Sequence, residues 1–157
     1  IDEGKKLIIM ERSHETAYRV FAKMLRDQQT MSQESFLLYE KWHNLLSQSI
    51  SNLIYVIYLR TSPSTTLERI HIRNRSGEED IPIEYLTTCH EYHEAWCAIV
   101  NSRAKERRRE QASKARLYHT DLTTYGSWYI LDGDADNRTV SYIESIEKHI
   151  ENVIQLE

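Results

Sequence analysis

The chain has 157 residues, 40% of them apolar and 28% charged, which suits one globular domain with a modest core. Its formal charge of −4 excludes a general nucleic-acid coat, and its longest apolar run, Leu53 to Leu59, is far short of the roughly 20 residues of a membrane span. Cys89 and Cys97 fall on one predicted helix about 12 Å apart by the helical rise, too far for a disulfide within it, so both read as thiols of a reducing compartment, cytosol or mitochondrion.

Lys6 to Met10 is a continuous apolar run closed by Glu11-Arg12-Ser13, the profile of a strand buried on both faces with its polar end at the carboxyl edge. Ser13 predicts the cap of a helix through Asp27, with Val20, Phe21 and Leu25 at helical spacing. The pattern repeats over 32–49 with Phe36, Leu37, Tyr39, Trp42, Leu45 and Leu46. Asn52 to Leu59 is β-branched and aromatic, a second buried strand, and Arg60-Thr-Ser-Pro63 supplies a turn and the start of a helix to Asn74. Pro82 opens a long helix over 83–111, Trp128 to Leu131 reads as a third strand, and 140–154 as a final amphipathic helix. Strands alternating with helices predict an α/β fold, a parallel sheet covered by helices on both faces, in one domain over 1–157.

Ligands of such sheets collect at the carboxyl ends of the strands, where Glu11-Arg12, Arg60-Thr61 and Asp132 to Asp136 fall. Arg69 and Arg73 share a helical face, and Arg75 follows beside Ser76-Gly77, where the chain can bend, with Glu78 and Glu79 directly behind. Three guanidiniums beside a flexible break suit a lid, over about 69–82, that closes on a polyanion. Phosphoryl transfer asks for that set: mobile arginines, a strand-end carboxylate for a metal and a hinged cover. His90 and His93 are three apart with no third ligand indicated, which does not make a zinc site, and 105–110 reads as a solvated basic helix end. Trp42, Trp96 and Tyr85 read as helix packing, with a dimer contact as a further use.

"MERS", "YLRTSP", "ERIHIRNRSGEEDIPIEYL", "HEYHEAW" and "LDGDAD", in this order, resemble the deoxynucleoside kinase family over nearly the whole chain. The resemblance implies a P-loop-kinase-like sheet, of which this chain carries the C-terminal two-thirds. It also implies transfer of the ATP γ-phosphate to the 5′-hydroxyl of a deoxynucleoside, with Mg2+, by a homodimer with no nucleic-acid or membrane partner. Position by position, it gives Glu11 the magnesium, held through water, and Arg12 the 5′-hydroxyl and the phosphate in transfer. Arg69, Arg73 and Arg75 become the lid arginines around the donor, Arg73 and Arg75 counting with Glu11 and Arg12 as catalytic, and Glu78 the partner of the sugar 3′-hydroxyl. Phe21 looks like the ring that stacks on the base, and Asp132 and Asp134 like the loop beneath the donor's adenine. Ala17 stands where deoxycytidine kinases tend to carry aspartate and thymidine-accepting members alanine, so the implied preference leans to thymidine.

Two departures accompany the likeness. Gly77 stands where relatives often carry an acid, and "HETAYR" permutes the usual aromatic and arginine order. In the family a glycine-rich phosphate loop precedes the Glu-Arg-Ser strand, whereas ten residues precede it here and no GxxxxGK[ST] occurs. This chain alone is therefore expected to be inactive, the loop belonging to an N-terminal segment outside it. The alternative is a kinase-derived subunit with a structural or interaction role.

Overall fold

The computed structural model describes residues 10–48, 54–112, 125–135 and 140–155. The first helical stretch runs unbroken from α1 (His14–Thr16) through a π-helical turn (Ala17–Ala22) into α2 (Lys23–Asp27). After it come α3 (Gln33–Gln48), β1 (Ile54–Arg60), α4 (Pro63–Arg73), α5 (Ile83–Ala112), β2 (Tyr125–Asp132) and α6 (Val140–Gln155).

Local chemistry explains the boundaries. Ser13 caps α1, its Oγ accepting from the Thr16 N–H at 3.3 Å. Within the π turn the Lys23 N–H reaches back five residues to the Tyr18 carbonyl, an expansion that often accompanies functional sites in helices. Ser62 caps α4 in the same way, accepting from Thr65 N–H at 3.3 Å with Pro63 in the first turn, and Asn74 at φ 46° ends it left-handed. Gly77, at φ 88°, then turns the loop in a conformation that side chains rarely adopt.

β1 and β2 pair in parallel, from Ile54 opposite Tyr125 to Arg60 opposite Asp132, as strands joined through helices must. The period of two sends Val56 and Tyr58 to one face, where they meet Trp96, Cys97, Tyr92 and Val100 of α5 and Val20 and Phe21 of the first helix. Trp96 and Trp128 meet edge to face at 4.6 Å between centroids, a contact worth about 0.5–1.5 kcal/mol beyond the area it buries.

Ile57 and Leu59, on the sheet face opposite α5, are 41% and 44% exposed. One expectation changes, on α3. The buried side there is Phe36 and His43, turned toward Tyr18 of the π turn, so Leu38, Trp42, Leu45 and Leu46 face outward and Trp42 is not packed within the chain as expected. The strand read over Lys6 to Met10 lies outside the described residues except for Met10, which is exposed. The side chains of the basic helix end over 105–110, and Asp136 after β2, lie outside them as well.

At the carboxyl end of the sheet Gly133 is clamped, its N–H donating to the Arg60 carbonyl at 2.7 Å. A Cβ there would lie 2.1 Å from Thr61 Oγ1 and 2.8 Å from the Arg60 carbonyl oxygen. Gly133→Ala should therefore lower stability by about 1–3 kcal/mol, the usual cost of overpacking, read as a shift in denaturant midpoint with unchanged slope.

Candidate active site

The residues singled out from the sequence fall into three groups. In the first, Arg12 follows the exposed Glu11 at φ 59°, a backbone region non-glycine residues seldom occupy, and its guanidinium lies 5.1 Å from the Phe21 ring centroid. Phe21 is half-buried at the edge of the core and meets His93 of α5 edge to face at 6.3 Å. Ala17 is half-buried in the same π turn, and Glu11 makes no hydrogen bond or ion pair with another described residue.

The second group is the loop after α4. Arg73 donates to Glu78 through Nε at 3.1 Å and through Nη2, and Arg75 Nη1 lies 3.6 Å from the other oxygen of the same carboxylate. Glu79 turns away and accepts from the Gly77 N–H at 2.7 Å. A small cleft of about 220 Å³ lies beside these residues, lined by Ile70, His71, Asn74, Arg75, Glu78 and Glu79.

The third group gathers at the strand ends. Asp134 Oδ1 accepts from the Ser62 N–H at 2.8 Å, a bond that holds its carboxyl below the ordinary range, while Asp132 Oδ1 accepts from the Asp134 N–H at 3.0 Å. Arg69 reaches this loop, with Nη2 3.4 Å from the Ala135 carbonyl. The lid arginines are thus divided: Arg69 faces the Asp132–Asp134 loop, whereas Arg73 and Arg75 face Glu78. An open cleft of about 470 Å³ lies here, lined in part by Arg60, Ser62, His90, Asp132 and Asp134.

Sequence reasoning placed Arg60 at the strand end but assigned Glu94 no role. The structure joins them: Arg60 donates from Nε and Nη2 to the two Glu94 oxygens at 2.8 and 2.9 Å, and the Tyr58 hydroxyl donates to Oε1 at 3.0 Å. Burial and this bond push the Tyr58 phenol far up. In "HEYHEAW" Glu94 follows His90 by one helical turn, and nothing in that spacing points to a partner on β1.

A second grouping escaped the sequence reading. Glu15, 2% exposed, accepts from Arg19 Nε through one oxygen and lies 2.8 Å from His43 Nε2 through the other, with His14 and Ser47 beside it. His43 is 28 residues away in the chain, too far for any local pattern to announce the pair.

A strand-end set of arginines and carboxylates on a parallel α/β frame is the arrangement of a P-loop-kinase-like protein. A model of the deoxynucleoside kinase family matches residues 2–155, and the chain belongs to that family. It is 33% identical to deoxycytidine kinase of Homo sapiens over 98 residues, 60% of this chain and 38% of that protein. It is 34% identical over 91 residues to a mitochondrial deoxyguanosine kinase of Xenopus laevis, 56% of this chain and 34% of that protein. To mitochondrial thymidine kinase 2 of Macaca fascicularis it is 32% identical over 89 residues, 56% of this chain and 34% of that protein. The matched part covers less than two fifths of each relative's length.

His93 links the first group to the core and titrates in a useful direction. Its Nδ1–H donates to the Cys89 carbonyl at 2.7 Å and its ring stacks on Tyr58 at 6.0 Å. Burial, helped by the nearby charge of Arg12, pushes the imidazole below its ordinary value, with the Cys89 bond and Glu94 acting the other way. A lowered folded pKa means that this contribution to stability is complete above the unfolded value of about 6.5 and is lost as pH falls through the folded one. Melting temperatures between about pH 7.5 and pH 5 should fall more steeply in the wild type than in His93→Asn, and equal slopes would remove His93 from the acid response.

Proposed function

We propose that the complete protein is a deoxynucleoside kinase that transfers the γ-phosphate of ATP to the 5′-hydroxyl of a deoxynucleoside, with thymidine preferred, and that this chain supplies its substrate pocket and lid. The observation that carries the reading is the pairing of Arg73 and Arg75 with one carboxylate, Glu78, on a loop hinged at Gly77. Arg73 is 51% exposed and Glu78 22%, and exposed pairs of this kind are worth about 0–1 kcal/mol. A donor phosphate, with more charge and three acceptor oxygens, competes readily for both guanidiniums. Their departure frees Glu78 to accept from the sugar 3′-hydroxyl, so donor and acceptor substrates are read by one exchange of partners.

The other residues follow from their places. Arg12 neutralises the phosphate in transfer at the 5′-hydroxyl, and the base lies on Phe21, with Ala17 leaving room for a 5-methyl group. Asp132 and Asp134 form the loop under the donor's adenine, and Arg69, a lid arginine around the donor, reaches that loop. Glu11 fits a water-mediated magnesium, being an exposed carboxylate without a described partner, and bound magnesium would neutralise the donor phosphates. The outward stripe Leu38, Trp42 and Leu45 on α3, at helical spacing, supports a homodimer.

Arg12→Ala in the complete protein should reduce nucleoside phosphorylation by about 100-fold or more with the circular dichroism unchanged, and near-normal turnover would reject its role. Ala17→Asp should lower the thymidine to deoxycytidine ratio of kcat/KM by about tenfold or more; an unchanged ratio would count against the thymidine preference while leaving the kinase reading standing.

A further inference from the structure

The groups around Glu15 face α3, away from the Arg12 and Phe21 side of the same helix that meets α5. We propose that His14, Glu15 and His43 bind one zinc ion, which clamps the start of the first helix to α3. Their donor atoms, two imidazole nitrogens and one carboxylate oxygen, lie within 4.8 Å of one another. Glu15 Oε1 is 2.8 Å from His43 Nε2 and 3.7 Å from His14 Nε2. Tetrahedral zinc with bonds of about 2.0–2.1 Å sets its ligand atoms roughly 3.3 Å apart, a value these two distances bracket. The two imidazole donors lie within 4.8 Å of each other, so the set closes around an ion by side-chain rotation.

Neighbouring side chains hold the donors, and the buried His43 Nδ1 has no hydrogen-bond partner among the described residues. The second Glu15 oxygen is held by Arg19, which leaves Oε1 toward the histidines. His43 is fixed by stacking on Tyr18 at 4.1 Å, and the Tyr18 hydroxyl is itself anchored on Glu40. Ser47 Oγ lies 3.2 Å from His14 Nε2 and 3.4 Å from Glu15 Oε1, near enough for it or a water held by it to complete the ligand set. Two imidazoles with one carboxylate suit zinc, whereas magnesium selects oxygen ligands throughout. This site is separate from the magnesium proposed at Glu11.

The test is calorimetric titration of Zn2+ into the chelator-treated full chain, beside His14→Ala, whose side chain is 24% exposed and can be lost with little effect on the fold. One zinc per chain, with affinity reduced on the order of 100-fold in the variant, is the expected result. Zinc bound equally well by the variant would be held by other histidines, and no zinc bound at all would equally overturn the proposal. A second reading needs no variant: zinc should move the ring resonances of His14 and His43 in the wild type, and shifts confined to other histidines would refute the site.

Discussion

The parallel register of β1 on β2 is the constraint on which the rest of the site depends. With Arg60 opposite Asp132, the chain leaving β1 and the chain leaving β2 emerge side by side, and Gly133 can donate to the Arg60 carbonyl only because no Cβ stands between them. The same edge lets Asp134 accept from the Ser62 N–H, so the cap of α4 and the loop after β2 are one hydrogen-bonded unit. From that cap α4 carries Arg69 over the loop and, one turn later, Arg73 toward Glu78. A slip of one residue would turn the sheet's apolar face away from α5 and dissolve this edge together with the core.

Three carboxylates organise the molecule through different partners. Glu15 is almost fully buried among Arg19, His43 and Ser47, where removing a partner strands a charge in a poor solvent. Glu94 is intermediate; it ties α5 to β1 through Tyr58 and Arg60, fixing the guanidinium at the sheet edge in a two-bonded geometry. Glu78, 22% exposed and on the loop after α4, pairs with two exposed arginines, and exposed partners give up little on leaving.

The π turn in the first helix gives that element two uses. By inserting a residue it lets Val20 and Phe21 meet the core beside α5 while Glu15 and Tyr18 meet α3. Arg12, just before the helix, lies over the Phe21 ring, so the site shares a side chain with the core it rests on.

Much of this was legible in the residues. Ser13, Ser62 and Pro63 announce helix starts, Ser76-Gly77 announces a bend, and alternating strands and helices announce a parallel sheet, because caps, turns and periodicities act over a few residues. The ordered motifs around Arg12, Arg69 to Glu78 and Asp132 were enough to indicate the family that the comparison supports. What the sequence could not decide is who meets whom across long separations. Glu15 with His43, Arg60 with Glu94 and the division of Arg69 from Arg73 and Arg75 arise only when α3, α5 and β2 pack, since side-chain partners are chosen by position in space.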